Sequence, residues 1–464
     1  MITPASVLAA AEAQIEPALE RLCAYLRIPA VSCDPKHFDD VARLADRVAE
    51  DLAALGLDAR VLRLDDALPC VAASWMSADR DAPTILIYGH LDLQPVDGGE
   101  GWRTPPHEPT RVGDRLYARG ASDDMGGWVS HLAAMAAWLR TTGSLPCSIR
   151  LIIEGEEEIG SNNLERYMDA FPEAFRADAM ILTDCENPST DVPGLTVSLR
   201  GVFEVVLTVE ALECDGHSGL WGNMVPDVST ALMQLITRLV DADGRPRVGL
   251  VQHPASRHKA AAAVPIGDEI FRRGAHLLPG VNPLPTRDRP AAEWLWLQPA
   301  ITVVSTTLPT PERKKNALRA AATAVLSVRL APDQTPEQML AAMQVELLRD
   351  PPQGVRVLAT QERGAGMGWY YEPKGPAFDA VDRAYEAAWG AKPVRVGVGG
   401  SIPFVAIFGA RFGDLPLILN GVMDPESTAH GPNESLHLGV FRKAVLANVH
   451  LYAELAAPGV LPRR

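Results

Sequence analysis

The chain has 464 residues, enough to bury large cores and to form at least two domains of usual size. Its composition, 47% hydrophobic and 22% charged, is ordinary for a globular protein. The net charge of −15 and the lack of a long basic run argue against nucleic acid or an anionic membrane as the main partner.

The cysteines and the N-terminal residues bear on location. The six cysteines are scattered without CxxC spacing, which favours reduced and mostly buried thiols. The N-terminal residues show no secretory signal, and no run of about 18 apolar residues predicts a membrane span. We therefore expect a cytoplasmic location.

Helix and strand patterns alternate in the first part of the chain. The periodicity predicts helices over 40–55, ending at Gly56, and over 128–139. Apolar runs predict strands at 59–64, 84–88, 148–153 and 179–183. Strands that alternate with helices indicate an α/β fold with a mostly parallel sheet and helices on both faces.

The middle of the chain has a different pattern. Strands are predicted at 195–209, 300–305 and 323–330, and helices at 226–240 and 335–348. These elements favour an α+β two-layer sandwich, while the Pro-, Gly- and Arg-rich stretch 243–290 has no assignment.

After about residue 375 the α/β pattern returns. Helices are predicted at 378–389, 403–408 and 439–455, and strands at 394–396 and 415–419. The simplest architecture is an α/β domain in two parts, 1–201 and 373–464, that is interrupted by an inserted domain over 202–372.

Charged side chains follow the predicted apolar strands directly. His90 and Asp92 follow one strand, and three consecutive acids at 156–158 follow another. Charges at the ends of buried strands are costly unless a metal or a partner group pairs with them. In open α/β sheets this edge is also where ligands bind. The pattern predicts a metal site.

Three further positions extend this set. Asp184 ends an apolar run, His430 follows the strand over 415–419, and Asp123 precedes the helix over 128–139. Asp123 and Asp124 can be the acidic start of a helix, or one of them can bridge two cations. Two cations that share a carboxylate need about this set: His90, Asp123, Glu158, Asp184 and His430.

In this order, these positions resemble the dinuclear-zinc aminopeptidase/aminoacylase family. The family includes carnosine-type dipeptidases, glutamate carboxypeptidase, acetylornithine deacetylase and succinyl-diaminopimelate desuccinylase. The resemblance covers almost the whole chain and is carried by four motifs: Gly-His-Leu-Asp at 89–92, Arg-Gly-Ala-Ser-Asp-Asp at 119–124, Glu-Gly-Glu-Glu-Glu-Ile-Gly-Ser at 154–161 and Ala-His-Gly-Pro-Asn-Glu at 429–434.

The resemblance implies a role for each site residue. His90 and Asp184 would hold one zinc ion, Glu158 and His430 the other, and Asp123 would bridge them. Manganese and cobalt are alternatives to zinc. Glu157 would be the general base, and Asp92 would orient His90.

The resemblance also implies that the inserted domain is a lid with homodimer contacts. His217 corresponds to a lid histidine that reaches the partner subunit's active site and stabilises the oxyanion. Asn316 corresponds to a substrate-contacting position, and Arg329 to the arginine that grips the substrate carboxylate. Gly400 and Ser401 belong to a loop that binds the same end. From the residues alone, Arg329 could equally form a surface ion pair, and His217 could be a loop histidine.

The predicted function is hydrolysis of dipeptides or short peptides with a free C-terminal carboxylate, by a water that two metals activate and Glu157 deprotonates. The nearest alternative is an N-acyl-amino-acid deacylase, which uses the same machinery. The long lid favours the dipeptidase. A non-catalytic metal-binding or scaffold protein is disfavoured because no ligand or base is missing, and a phosphoesterase because no cationic phosphate clamp accompanies the ligands.

Overall fold

The structure, a computed structural model, describes residues 3–96, 100–264, 266–399, 405, 408, 411 and 415–461. Within these ranges, a nine-stranded sheet is built from both ends of the chain, and a four-stranded sheet is built from the middle. The mixed α/β fold confirms the predicted fold class.

The nine-stranded sheet has a parallel centre and antiparallel margins. In spatial order its strands are Asp58–Leu62, Cys70–Trp75, Ser148–Glu154, Thr84–His90, Ala179–Leu182, Leu417–Leu419, Gly194–Leu199 and Trp369–Tyr370, with Val394–Val398 also paired to Gly194–Leu199. The four central strands, Ser148–Glu154 to Leu417–Leu419, run parallel to their neighbours in this group. Central parallel strands are buried on both faces, which explains their mostly apolar runs.

The strand Thr84–His90 contributes alternately to two cores. Ile85 and Ile87 belong to the larger core, and Leu86 and Tyr88 belong to the one on the opposite face. Long helices cover the larger core, namely Ala5–Leu26, Phe38–Ala54, Met125–Thr142, Pro376–Trp389 and Leu438–Leu455. Shorter helices cover the other, namely Leu164–Ala170 and Pro172–Phe175.

The single strand predicted over 195–209 is wrong in one respect. The segment forms two strands, Gly194–Leu199 and Gly201–Glu210, which belong to different sheets and are separated by Arg200. A Cβ on Gly201 would lie 2.5 Å from the carbonyl oxygen of Gly366, so a side chain does not fit here. The apolar pattern continues through both strands, which is why periodicity does not show the change of sheet.

The four-stranded sheet is antiparallel and has helices on one face. In spatial order its strands are Ala300–Thr306, Ala321–Leu330, Gly201–Glu210 and Arg356–Gly366. The helices Val228–Leu239 and Pro336–Leu348 share its apolar core. The edge strand Ala300–Thr306 is largely exposed.

Shorter elements connect these layers. The unassigned stretch 243–290 contains the helices Ala255–Ala262 and Asp268–Gly274 and is followed by Ala291–Trp296. Single helical turns lie at Pro35–His37, Glu157–Ile159, Ser218–Trp221, Pro311–Arg313 and Pro352–Gly354. Two small sheets pair Gly216–His217 with Ala317–Leu318, and Arg115–Tyr117 with both Thr110–Val112 and Ser435–His437. The helix predicted over 403–408 lies mostly outside the described residues.

Among the described residues, no helix is both long and apolar enough to cross a membrane.

Candidate metal centre

Three neighbouring parallel strands end at one edge of the nine-stranded sheet and place most of the candidate ligands there. His90 is the last residue of one strand, and Asp184 lies two residues after the second. Glu157 and Glu158 begin the helical turn that follows the third. Two loops bring the remaining candidates, Asp123 and His430.

Asp123 lies between the two histidines. Its Oδ1 is 3.1 Å from Nε2 of His90, and its Oδ2 is 3.1 Å from Nε2 of His430. On the first side, Oδ2 of Asp184 is 4.0 Å from Nε2 of His90. On the second side, Oε2 of Glu158 is 3.3 Å from Nε2 of His430. Asp123 therefore has one oxygen in each of two adjacent groups of ligand atoms.

This donor set fits two divalent cations. Tetrahedral zinc with bonds of about 2.0–2.1 Å separates its ligand atoms by roughly 3.3 Å. Three of the separations given above, at 3.1, 3.1 and 3.3 Å, are close to that value, and the separation between His90 and Asp184 is longer, at 4.0 Å. Ligand atoms of His90, Asp123 and Glu158 lie within 4.8 Å of one another, as do those of His90, Glu157 and Asp184. Imidazole and carboxylate groups suit zinc and its first-row neighbours.

The site holds more acid than its histidines can neutralise. Burial raises the pKa of Glu157 to about 8, and the charge of Glu158 acts in the same direction. Burial and the charge of Asp123 raise the pKa of Asp184 well above its usual range. Burial alone would lower the pKa of His90, but hydrogen bonds to neighbouring carboxylates raise it. Bound cations would offset this repulsion between carboxylates.

The cluster is reached from the His430 side. The His430 side chain is 60% exposed, whereas His90 is completely buried. Hydrogen bonds with Asp123 and Glu158 raise the pKa of His430 to about 11. Solvent and small ligands therefore have access to the second group of ligand atoms.

Asp92 fixes two parts of the site. Its buried carboxylate accepts hydrogen bonds from the main-chain nitrogens of Glu157, at 3.2 Å, and Glu158, at 3.0 Å. Nδ1 of His90 is 3.1 Å from the main-chain oxygen of Asp92 and 3.5 Å from its Oδ1. The carbonyl is thus the nearer partner of the His90 ring, and the carboxylate chiefly holds the turn that carries Glu157 and Glu158.

Glu434 supports Asp123, although no role is predicted for it from the sequence. Its buried carboxylate accepts hydrogen bonds from the main-chain nitrogens of Gly120, Ser122 and Asp123 at 3.0–3.1 Å. Arg119 donates to the same carboxylate at 2.8 Å and to the main-chain oxygen of His430 at 3.2 Å. This buried pair joins the loop of one ligand to the loop of another. Arg119 and Glu434 both stand in motifs that carry the family resemblance, which was the available signal in the sequence.

Asp124 is turned away from the cluster. Its Oδ2 accepts hydrogen bonds from the Thr183 hydroxyl at 2.7 Å and from the main-chain nitrogen of His90 at 3.3 Å. A Cβ on Gly127 would lie 2.1 Å from Oδ1 of Asp124, so this contact requires glycine. Asp123 and Asp124 therefore have separate positions, one facing the ligands and one facing the sheet.

Two of the acids at 154–158 serve the fold. Glu156 accepts hydrogen bonds from the main-chain nitrogens of Leu68, at 2.8 Å, and Asn163, at 3.1 Å. Glu154 accepts hydrogen bonds from the hydroxyls of Tyr88 and Ser161. Both carboxylates are buried away from the ligand cluster.

Two predicted residues from the middle of the chain are separate from the cluster. His217 is exposed, and its Nδ1 accepts a hydrogen bond from the main-chain nitrogen of Gly219 at 3.1 Å. Asn316 is also exposed. In the part of the chain that the structure describes, no hydrogen bond or ion pair joins either side chain to the metal ligands. Gly400 and Ser401 lie outside the described residues.

Arg329 has a second arginine beside it. Burial lowers the pKa of Arg329, which is half-buried on the strand Ala321–Leu330. Burial and the charge of Arg329 lower the pKa of Arg200 to about 10. Arg200 donates a hydrogen bond to the main-chain oxygen of Gly399 at 3.2 Å. Neighbouring guanidinium groups that have no carboxylate partner among the described residues favour the binding of an anion.

The sequence is similar to known peptidases. A family model described as Peptidase family M20/M25/M40 matches residues 86–455. Cysteinylglycine-S-conjugate dipeptidase of Corynebacterium striatum is 32% identical over 405 residues, which cover 87% of each chain. Cys-Gly metallodipeptidase dug1 of Schizosaccharomyces pombe is 27% identical over 463 residues, 94% of this chain and 95% of its own.

Solved structures share the fold. Human carnosine dipeptidase 1 has a TM-score of 0.81 at 23% identity, and the match covers 98% of this chain and 100% of the carnosine dipeptidase chain. The M20 family metallo-carboxypeptidase Sso-CP2 from Sulfolobus solfataricus has a TM-score of 0.75 at 25% identity, with 95% and 99% covered. The similarity therefore extends through both sheets.

Proposed function

Since the chain belongs to Peptidase family M20/M25/M40 and is thus a metallopeptidase, we propose that it hydrolyses the amide bond of dipeptides or short peptides with a free C-terminal carboxylate. The observation that carries the proposal is the position of Asp123, with one oxygen facing each of two histidines. The relatives named as dipeptidases support the same class of substrate.

The metal ligands divide into two groups around Asp123. His90 and Asp184 would hold one divalent cation, and Glu158 and His430 the other. We favour zinc, with manganese or cobalt as alternatives, because imidazole and carboxylate ligands suit all three. Such cations lower the pKa of a bound water toward neutrality and polarise the scissile carbonyl.

Glu157 is the general base in this proposal. Its carboxylate lies within 4.8 Å of ligand atoms of His90 and Asp184, close enough to reach a water at the cluster. Glu157 takes the proton of the attacking water and returns it to the leaving amine. Asp92 holds the Glu157 main chain and thereby the position of the base.

The substrate carboxylate binds on the side of the paired arginines. Arg329 presents a planar fork that suits a carboxylate, and the charge of Arg200 adds to its field. Asn316, Gly400 and Ser401 complete this subsite. A subsite for a free C-terminus close to the metals selects short peptides.

We further propose a homodimer in which His217 completes the active site of the second copy. His217 is exposed and lies beside three exposed apolar side chains: Leu220 at 72%, Trp221 at 53% and Met224 at 84%. Exposed apolar clusters mark interaction surfaces. The exposed edge strand Ala300–Thr306 offers a further surface for a second chain. From there His217 donates a hydrogen bond to the oxyanion that develops during attack.

Mixing two inactive variants tests this arrangement. In a mixed dimer of His217→Ala and Glu157→Gln subunits, one of the two sites has both an intact base and an intact His217. Random exchange of subunits should restore about one quarter of wild-type activity, since half of the dimers are mixed and each has one complete site. A monomeric mass in sedimentation equilibrium, or no restoration, would contradict the shared site.

We place the reaction in the cytoplasm. All six cysteines are free, as expected of a chain kept in a reducing compartment. The partners in this proposal are small peptide substrates and a second copy of the chain, and not nucleic acid or a membrane.

A hydrolysis screen tests the function. Purified protein loaded with zinc or manganese is assayed on a dipeptide library and on N-acetyl- and N-succinyl-amino acids. Dipeptide cleavage should fall by ~10²–10⁴ in Glu157→Gln, with metal content unchanged, and should persist in the exposed control Glu165→Gln. Cleavage of acylated amino acids alone would make the protein a deacylase, and no metal-dependent turnover on either set would refute both.

A further inference from the structure

A cavity lies where the segment 264–296 meets the nine-stranded sheet. Its volume is about 270 Å³, slightly below the ~300–1,000 Å³ usual for small-ligand sites. Ile266, Ile270 and Phe271 line it from one side, and Val396 and Pro425 line it from the other. The cavity is thus apolar and of a size for part of a small molecule.

Glu186 is the only charged residue among the described residues that line this cavity. Its side chain is exposed and has no hydrogen bond or ion pair within the described chain. The neighbouring Asn187 is committed to the fold, since its amide donates to the main-chain oxygens of Gly421 and Met423 and accepts from Gly194. Among the described residues that line this cavity, Glu186 is therefore the charged side chain that is available to a ligand. The ligand group that it binds must be cationic.

Residues that line the cavity adjoin both Asp184 and Arg200. Glu186 stands two residues after Asp184, and Glu186 continues the sheet through a parallel bridge with Met423. At the other end, a Cβ on Gly399 would lie 3.6 Å from the main-chain oxygen of Leu295, which lines the cavity, and 2.9 Å from Nη2 of Arg200. A ligand between these ends meets an acid on the Asp184 side and guanidinium groups on the other.

We propose that this cavity receives the N-terminal residue of a dipeptide substrate, with the free α-ammonium group on Glu186 and an apolar side chain against Ile270 and Phe271. The inference rests on the proposed dipeptidase function and deepens it. A dipeptide zwitterion has a cation and an anion at opposite ends, which matches Glu186 and the arginines. An N-acyl amino acid has no ammonium group and leaves Glu186 without a partner. Glu186 thus selects dipeptides over acylated amino acids.

The test compares two substrates that differ in the amine alone, leucyl-glycine and 4-methylpentanoyl-glycine. The ratio of their kcat/KM values should favour leucyl-glycine in wild type and fall by roughly 10- to 100-fold in Glu186→Gln, the range for a charge-assisted hydrogen bond. Asp191→Asn removes a charge from the exposed surface of the same loop and should keep the wild-type ratio. Metal content, measured in both variants, should equal that of wild type.

A second variant tests the side-chain cavity. Ile270→Trp fills the space, so alanyl-glycine should become the better substrate relative to leucyl-glycine. An unchanged amine ratio in Glu186→Gln, or loss of metal from that variant, would overturn this inference while dipeptide hydrolysis by wild type stands. Absence of metal-dependent dipeptide hydrolysis in wild type would instead overturn the proposed function and this inference with it.

Discussion

Replacing Glu434 by glutamine should destabilise the protein and weaken metal binding together. The Glu434 carboxylate receives five hydrogen bonds and faces no acceptor, so it acts as a carboxylate anion. Its Oε1 faces three donors, from Ser122 and Asp123, and its Oε2 faces two, from Arg119 and Gly120. Glutamine keeps the shape but must turn an NH₂ group toward one of these sets.

The less costly orientation places the NH₂ group at Oε2. The main-chain nitrogen of Gly120 then loses its acceptor, at about 1–3 kcal/mol for a buried donor. Arg119, whose side chain is 3% exposed, loses its only carboxylate partner within the described chain. Removing one member of a buried ion pair costs about 3–5 kcal/mol, so this effect dominates. The free energy of unfolding should fall by about 3–5 kcal/mol, or roughly 3–5 °C in Tm for a chain of 464 residues.

The assay separates stability from metal binding. Thermal unfolding is followed by circular dichroism in chelator, and metal affinity is measured by competition with a chromophoric chelator. Arg119 and Gly120 lose their acceptor, and Arg119 also donates to the main-chain oxygen of His430. Because the loops that carry Asp123 and His430 are then held less firmly, metal affinity should fall by about 10- to 100-fold. Glu165→Gln, an exposed change of the same chemistry, should alter neither. A Tm within about 1 °C of wild type, with unchanged affinity, would show that Glu434 neither holds the loop nor compensates Arg119.

Asp92→Asn should lower metal affinity by about 10- to 100-fold in the same competition assay. The reason is that an amide NH₂ group then faces one of the main-chain donors of the turn that carries Glu158. An unchanged affinity would show that Asp92 does not hold this turn. Burial lowers the pKa of His131 to about 3 from its ordinary 6.5, so the unfolded chain binds a proton in that window and the folded one does not. Stability from this residue is complete above pH 6.5 and is lost as the pH falls toward 3, by about 1.4 kcal/mol per unit. His131→Gln, which can still accept a hydrogen bond from the Tyr452 hydroxyl, should therefore lose less Tm than wild type between pH 7 and pH 4.5, and equal losses would contradict the burial of a neutral imidazole.

His90, Asp184 and Glu158 are predictable from sequence because each one lies at or just after the end of an apolar strand. Asp123 and His430 lie in loops, and the motifs of the resemblance indicate them. A buried strand cannot end in His90 or Asp184 without a compensating group, so local sequence carries the signal. Glu434 is different. Its partner Arg119 is 315 residues away in sequence. No local sequence pattern indicates that two loops so far apart are hydrogen-bonded to each other. The role of Glu186 is also not predictable from sequence, since only the folded chain shows that this residue lines an apolar cavity.

Sequence patterns do not predict elements that contain residues unfavourable to their own helix or strand conformation. The helix Ala5–Leu26 is not predicted, because it contains Pro17, which usually ends a helix. The strand Cys70–Trp75 is not predicted either, because alanine and serine interrupt its β-branched and aromatic residues. The change of sheet at Arg200 is set by close packing of Gly201 on another strand. In each case tertiary packing outweighs local preference.

The turn at Glu157–Ile159 explains how one short segment supplies both a ligand and a base. In a strand, consecutive side chains point in opposite directions, so neighbouring carboxylates cannot share a site. Glu154 is the last residue of the strand and Glu156 directly precedes the helical turn, and both carboxylates are bound within the fold. A helical turn with three residues per turn brings neighbours to roughly 120° apart. Glu157 and Glu158 both then come within 4.8 Å of ligand atoms that include His90. The Asp92 carboxylate accepts hydrogen bonds from the main-chain nitrogens of both Glu157 and Glu158. One buried carboxylate therefore sets the positions of the base and the ligand together.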